Sequence, residues 1–174
     1  MLVNLTDVFT NEGQVQTLEV SYEADAFCTP FGNFPIIDKT PVSLKITNMG
    51  QSKVLVEGIA GFELLLVCDR CLKDVPYRFR LSFSQEVFSP DYKGGDIEDE
   101  AAEFMEGYQL NVDALVKSEL LLNWPTKVLC KESCKGICTV CGKNRNEEDC
   151  SCDAFIPDPR MAAIKDIFQG NKEV

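Results

Sequence analysis

Four close pairs of cysteines constrain the fold of this chain more than any other feature of its sequence. They account for eight of the nine cysteines, and the chain contains no histidine. The pairs are Cys68/Cys71, Cys130/Cys134, Cys138/Cys141 and Cys150/Cys152. Four thiolates complete a tetrahedral zinc shell, and a backbone turn can present two thiolates that lie close in sequence. The pattern therefore predicts one or two structural zinc ions held by cysteine.

Two other uses of paired cysteines compete with metal binding. A disulfide framework needs an oxidising compartment, but residues 1–14 show no basic leader, apolar run or cleavage site typical of a signal peptide. We therefore expect a cytoplasmic protein whose thiols are reduced or bound to metal. A redox C-x-x-C usually begins a helix after a strand, whereas Cys68 and Cys71 lie between two strand-like runs. A redox-responsive zinc–thiolate protein is the alternative function.

The spacing of the cysteines favours one grouping of the thiols. The local segment C-x2-C-x8-C-x-C can close one shell from Cys138, Cys141, Cys150 and Cys152. Cys68 and Cys71 would then meet Cys130 and Cys134, about sixty residues later, and clamp the helical half onto a strand hairpin. One site made from another four of the eight is an open alternative. Cys28, next to Phe27, is predicted to be a small core residue.

The pattern of apolar residues predicts an α+β fold. Residues 42–47 and 77–84 alternate apolar and polar side chains, as half-buried antiparallel strands do. Residues 54–57 and 62–68 are also strand-like, and Leu64–Val67 indicates a strand covered on both faces. Weaker patterns over 2–9 and 15–22 would add further strands. We expect residues 1–90 to be mainly β, in an antiparallel sheet that could curl toward a barrel.

The second half of the chain has a different character. Asn111 as N-cap and Pro125 as terminator predict a helix over 111–124 that packs on the open face of the sheet. Asp158, Pro159 and Gly170 predict a C-terminal helix over 158–170. An acidic loop at 91–107 and a cysteine-rich metal segment at 126–153 complete what we expect to be a single domain over residues 1–174.

Charge is segregated along the chain. The net charge of −11 would repel nucleic-acid phosphates if it were spread evenly. Acidic residues concentrate in 91–106, whereas 126–145 is locally basic. Six basic residues are candidate contacts for RNA or protein: Arg70, Lys73, Arg78, Arg80, Lys131 and Lys135. Compensation of a tetrathiolate zinc, which carries a formal charge of about −2, explains basic residues among the cysteines equally well.

Several short motifs are spread along the chain from residue 68 to residue 160. They begin with Cys68-Asp-Arg-Cys-Leu72 and Glu119-Leu-Leu-Leu-Asn-Trp-Pro125, and continue through the cysteine-rich run from Cys130 to Gly142. Asn144-Arg-Asn146, Cys150-x-Cys152 and Asp158-Pro-Arg160 complete the set. Together these motifs, over roughly residues 60–170, resemble the bacterial YceD family, the large ribosomal RNA subunit accumulation proteins.

This resemblance implies a non-enzymatic ribosome-biogenesis factor that supports synthesis, processing or stability of large-subunit (23S) rRNA. The residues agree with a role other than catalysis. Without histidine the usual general base near neutral pH is absent, and closed four-cysteine shells leave no position for a substrate. The expected partner is large-subunit rRNA itself or a basic ribosomal protein, and neither a membrane nor a small-molecule substrate is expected.

Overall fold

The computed structural model of the chain describes residues 1–30, 32–92 and 104–152. Contacts divide the chain into two units. We call Met1–Leu66 with Asp74–Val128 the sheet unit, and Val67–Lys73 with Leu129–Val174 the cysteine unit. The single-domain organisation stays a prediction. The predicted C-terminal helix at 158–170 and most of the predicted acidic loop at 91–107 lie outside the described residues.

Strands predominate among the described elements, as the alternating side chains predict. In chain order the elements are β1 (Leu2–Asn4), α1 (Thr6–Thr10), β2 (Val15–Val20), β3 (Ala26–Thr29), β4 (Gly32–Lys39), β5 (Val42–Gly50), β6 (Lys53–Val67), β7 (Asp74–Phe88), β8 (Met105–Glu106), β9 (Gln109–Asn111) and α2 (Val112–Leu122). The described part of the chain, mostly antiparallel strands with two short helices, fits the α+β class broadly. None of the described helices has the length and apolar character needed to cross a bilayer.

The main sheet is organised around the long strand β6. Its order is β2-β5-β6-β4-β3, and β7 also pairs with β6. Strand β5 runs antiparallel to residues 53–59 of β6, and β4 runs antiparallel to residues 62–64. Because β5 and β4 pair with successive parts of β6, the sheet branches along β6. Among the described residues, no strand pairing closes the sheet into a barrel. The predicted barrel-like closure is therefore wrong.

The apolar core lies in the sheet unit. Strand β5 buries Val42, Leu44 and Ile46 and exposes the residues between them, the alternation of a strand with one covered face. Helix α2 lies where the sequence predicts a helix and contributes Leu115 and Leu120 to the same core. The Asn111 side chain caps α2 by accepting a hydrogen bond from the Ala114 amide.

Three local expectations differ from the structure. The predicted strand over 2–9 ends early, because the Asn4 side chain accepts a hydrogen bond from the Thr6 amide and α1 begins there. The second face of the run Leu64–Val67 is only partly covered, since Leu65 is half-buried and Val67 is 42% exposed. Cys28 is exposed rather than in the core, because β3 turns the neighbouring Phe27 inward and successive strand residues face opposite sides.

Candidate metal centres

The cysteine unit brings eight thiols together in two groups of four. The first thiol cluster contains Cys68, Cys71, Cys130 and Cys134, and the second thiol cluster contains Cys138, Cys141, Cys150 and Cys152. Within each cluster all four Sγ atoms lie within 4.8 Å of one another. This is the grouping that the sequence analysis preferred, and not the open alternative of one site made from another four cysteines. Each cluster could hold one metal ion.

The sulfur–sulfur distances suit a tetrahedral metal shell. In the first thiol cluster, Cys68 and Cys134 have Sγ atoms 3.9 Å apart, and Cys71 and Cys130 have Sγ atoms 3.5 Å apart. A zinc tetrahedron with metal–sulfur bonds of about 2.3 Å has edges of about 3.8 Å. Four sulfurs at these separations leave little room for a fifth ligand, so such a site is closed.

The two clusters differ in burial. In the first thiol cluster Cys68, Cys71 and Cys134 are buried, and Cys130 is the most exposed of the four. In the second thiol cluster only Cys138 is buried, and Cys141 is exposed. Solvent, chelators and oxidants therefore reach the second thiol cluster more readily.

The two C-x-x-C turns have the same hydrogen-bonded geometry. In the first, the Cys68 amide donates to the Lys73 carbonyl at 2.8 Å, and the Leu72 amide donates to the Cys68 carbonyl at 2.9 Å. In the second, the Cys138 amide donates to the Lys143 carbonyl at 2.8 Å, and the Gly142 amide donates to the Cys138 carbonyl at 2.8 Å. Turns of this type aim backbone amides at a metal-bound sulfur.

A lysine follows each turn and forms an ion pair. Lys73 Nζ lies 3.0 Å from Glu147 Oε1, and Lys143 Nζ lies 2.9 Å from Glu148 Oε2. The sequence analysis did not identify this small repeat, although its signal is present as C-x-x-C followed by one residue and lysine. The two turns, called the first and second knuckle below, are thus two copies of one unit that could present two thiolates to a metal.

Hydrogen bonds favour the thiolate form of two first-cluster cysteines. Burial raises the pKa of the Cys68 thiol, but hydrogen bonds from backbone amides, that of Arg70 foremost, outweigh burial and lower this pKa to about 6. Burial likewise opposes ionisation of Cys134, yet the Gly136 amide and the Asn146 side chain lower its pKa. Donors that stabilise a thiolate are a common outer shell of a metal site.

Cys130 and Cys152 show the opposite tendency, whereas Cys138 resembles Cys68. The pKa of Cys130 rises to about 12, first because of its hydrogen bond with Cys71 and then because of burial. In the second thiol cluster the amides of Cys141 and Val140 lower the pKa of Cys138 to about 6. The hydrogen bond with Cys141 raises that of Cys152 to about 12. Without a cation, four thiolates this close repel one another and share protons.

This donor set fits a soft or borderline divalent metal. A bound divalent cation stabilises all four thiolates, so binding would release the protons that the high-pKa thiols hold. Neither cluster includes a carboxylate or histidine, and four cysteine sulfurs in a tetrahedron are typical of structural zinc. The cysteines can therefore supply a folding element rather than an open catalytic position.

Two residues beside the first thiol cluster join its separate segments. The Arg70 guanidinium donates to the Cys134 carbonyl at 2.8 Å, and the Arg70 carbonyl accepts from the Ile137 amide at 3.0 Å. Gly136 has φ of +75°, and a Cβ there would lie 2.9 Å from the Arg70 carbonyl oxygen. Arg70 thus ties the first knuckle to residues 134–137, and glycine is required at 136.

The six predicted contact residues are all exposed and are divided between the two units. Arg70 and Lys73 are engaged inside the cysteine unit, as described above. In the sheet unit, Arg78 Nε lies 3.2 Å from Glu63 Oε2. Arg78 and Arg80 line a cavity of about 280 Å³ together with Asp38 and Glu63. Among the described residues no ion pair involves Arg80, Lys131 or Lys135.

Comparisons with known proteins agree with the motifs around the cysteines. The family model described as "Large ribosomal RNA subunit accumulation protein YceD" matches residues 56–168. A curated relative, the uncharacterized protein YlbN of Bacillus subtilis (strain 168), is 35% identical over 115 residues, which span 64% of this chain and 64% of that protein. No solved structure matches the chain significantly. Since the family model covers more than half of the chain and every cysteine of both clusters, the chain belongs to the YceD family.

Proposed function

We propose that this protein is a non-enzymatic ribosome-biogenesis factor that supports accumulation of large-subunit (23S) rRNA, by aiding its synthesis, processing or stability. The match to the family model over residues 56–168 carries the proposal. The two groups of four cysteines, which would be closed shells with metal bound, support a structural rather than a catalytic role. A cytoplasmic location follows from this role.

Zinc is the metal proposed for both thiol clusters, through Cys68, Cys71, Cys130 and Cys134 in one and Cys138, Cys141, Cys150 and Cys152 in the other. The donor set and the sulfur–sulfur distances support this choice. A structural zinc ion can contribute on the order of 10 kcal/mol to folding. Its proposed role is to shape the surface that meets a partner.

A basic ribosomal protein is the partner that the charges favour over direct contact with RNA. The described cysteine unit has six basic and five acidic side chains, and two tetrathiolate zinc sites of about −2 each would make it net negative. In the sheet unit, Asp38 and Glu63 offset Arg78 and Arg80. The negative charges of the cysteine unit and of the cavity beside Arg78 and Arg80 would repel an RNA phosphate backbone. The same charges would attract a cationic protein surface.

The proposed function is tested by depleting the protein in cells and measuring large-subunit against small-subunit rRNA. We expect a selective loss of large-subunit rRNA that the wild-type gene restores and a Cys68→Ser/Cys71→Ser variant does not. Equal levels of both rRNAs after depletion would contradict the proposal. Crosslinking in the same cells separates the partners: a cationic ribosomal protein is expected on the chain, and RNA crosslinks that vanish in Lys131→Gln/Lys135→Gln would favour direct RNA contact instead.

A second candidate, a redox-responsive zinc–thiolate protein, is favoured by the exposure of Cys141. Oxidation of an accessible thiolate releases its metal and is reversible at the disulfide stage. Zinc content before and after mild peroxide distinguishes the two functions. Stoichiometric metal that peroxide leaves in place is expected for the structural role, whereas release that a thiol reductant reverses would favour the redox role.

A further inference from the structure

Asn146 lies in the loop between two cysteines of the second thiol cluster, but its side chain contacts a cysteine of the first. It lies between Cys141 and Cys150, which are both members of the second thiol cluster. Its side-chain amide nevertheless donates to Cys134 Sγ of the first thiol cluster at 3.3 Å. Its Oδ1 atom accepts from the Lys135 amide at 2.9 Å. One side chain therefore connects the loop of one candidate site to a sulfur of the other.

The position of Asn146 is set by a short antiparallel pairing. Ile137 and Asn144 form a β-bridge, and the Arg145 amide donates to the Gly136 carbonyl at 2.9 Å. Asn144 Oδ1 accepts from the Asn146 backbone amide at 3.0 Å and from its side-chain amide at 2.8 Å. These bonds orient the Asn146 amide toward Cys134.

Both ends of this loop are anchored at the second thiol cluster. Cys141 precedes the loop and Cys150 follows it, and the Cys138 amide donates to the Lys143 carbonyl at 2.8 Å. A metal in the second thiol cluster would join the two ends and restrict the loop to its paired conformation. Without that metal, the loop would have to be ordered at the expense of conformational entropy.

A hydrogen bond to a thiolate stabilises its charged, metal-binding form. Loss of such an outer-shell donor typically weakens metal affinity by about 10–100-fold. If the second thiol cluster holds Asn146 in place, its metal should therefore strengthen binding at the first thiol cluster. Linkage requires the effect to be reciprocal.

We propose that the two metal sites are coupled, and that Asn146 transmits the coupling from the second thiol cluster to Cys134. This rests on the metal binding proposed above, and it assigns Asn146 as a positioning residue rather than a ligand. We expect a metal in the second cluster to raise the affinity of the first cluster about tenfold.

A double-mutant cycle tests the coupling directly. The full-length protein is stripped of metal under reducing conditions and titrated with cadmium against a competing chelator, and cadmium NMR resolves the two sites by their separate resonances. Removing the second site with Cys150→Ser/Cys152→Ser should lower first-site affinity about tenfold. Asn146→Ala should lower it similarly with both sites present. The combined variant should lose no more than either change alone, because the two act through one contact.

The variant Asn146→Asp tests whether the donor to Cys134, rather than the fold of the loop, sets the affinity of the first cluster. Aspartate keeps the oxygen that accepts from Lys135 but replaces the donor to Cys134 with a charged acceptor, so the affinity should fall further than in Asn146→Ala. Ser133→Ala, an exposed neutral position beside Cys134, should leave the affinity of the first cluster unchanged.

The outcomes separate the coupling from the proposed metal binding. If the protein binds two ions but the affinity of the first cluster is the same in Asn146→Ala and in Cys150→Ser/Cys152→Ser as in the wild type, the coupling alone is overturned. Additive losses in the combined variant would also overturn it, because they would show separate effects. A protein that takes up no metal would overturn both the coupling and the proposed zinc sites.

Discussion

At the scale of single residues, the two knuckles carry different residue types at the position after their second cysteine. Leu72 in the first has φ of 59°, and Gly142 in the second has φ of 73°. This left-handed conformation costs a non-glycine residue about 1–2 kcal/mol. Leu72 is also 63% exposed and so gains little from packing. Packing within the described part of the protein therefore does little to offset the backbone strain of leucine at this position.

Replacing Leu72 with glycine should therefore stabilise the cysteine unit. We expect Leu72→Gly to raise the free energy of unfolding by about 1 kcal/mol, because glycine adopts positive φ without steric penalty. The measurement is a urea titration of the cobalt-loaded protein, followed by the thiolate absorption of the metal.

The matched control is the equivalent position of the second knuckle. A Cβ at Gly142 would meet nothing within 4 Å, so Gly142→Ala should lower the free energy of unfolding by about 1 kcal/mol through backbone strain alone. A loss of stability in Leu72→Gly would show that the leucine side chain makes a stabilising contact after all.

At the scale of elements, strand β6 depends on a glycine at its centre. Gly58 is buried, and a Cβ built there would lie 2.1 Å from Cζ of Phe83, a buried residue of β7. Gly61 lies three residues further along the same strand, where a Cβ would meet Thr40 Oγ1 at 3.4 Å, an ordinary contact. The close approach of the Phe83 ring to the β6 backbone therefore requires glycine at one position and not at the other.

This contrast predicts opposite tolerance for the same substitution. Gly58→Ala should lower the free energy of unfolding by about 1–3 kcal/mol, because the Phe83 ring must leave its place. Gly61→Ala should change it by less than about 0.5 kcal/mol, as expected for a position without a clash. Urea unfolding followed by far-ultraviolet circular dichroism gives both values.

A second-site change identifies the cause. If the ring is responsible, Gly58→Ala should cost much less in a Phe83→Leu background than in the wild type, since leucine does not reach across the strand. An equal cost in both backgrounds would place the cause in the backbone at Gly58.

Sequence patterns predicted the elements whose signal is local and missed those that depend on contacts. The alternation in β5 and the cap at Asn111 are properties of a few neighbouring residues, so both were accessible. Helix α1 was missed because its five residues are too few to show a helical period, although the i, i+3 spacing of Leu5 and Val8 suits a helix. Closure of the sheet depends on how β4 and β5 share β6, and no local pattern encodes that arrangement.

The candidate sites show the same division. The second thiol cluster could be predicted because its four cysteines are close in sequence. The first was inferred by pairing the four cysteines that remained, since no local spacing joins residues about sixty positions apart. The contact from Asn146 to Cys134 could not, since it depends on pairing between two loops. The two knuckles could have been predicted from the sequence, because C-x-x-C-x-Lys occurs twice.

At the scale of the whole molecule, the two units are stabilised by different means. The buried apolar cluster draws its members from the sheet unit and includes no residue of 67–73 or 129–152. The buried side chains of the described cysteine unit that count as apolar are Cys68, Cys71, Cys134 and Cys138. A segment with so little apolar burial cannot offset the entropy of ordering its backbone. Metal binding would have to supply that free energy.

Removing metal should therefore unfold the cysteine unit and leave the sheet unit folded. After treatment with a strong chelator under reducing conditions, hydrogen exchange measured by mass spectrometry should show rapid exchange of the amides in 129–152, including those of Cys134 and Cys138. Amides of β5 and of residues 53–59 in β6 should stay protected, because the sheet retains its apolar core. Addition of zinc should restore protection to 129–152, whereas magnesium, which prefers oxygen ligands, should not. Unchanged protection of 129–152 in the metal-free protein would contradict this division, and loss of protection in both units would show that the sheet also depends on metal.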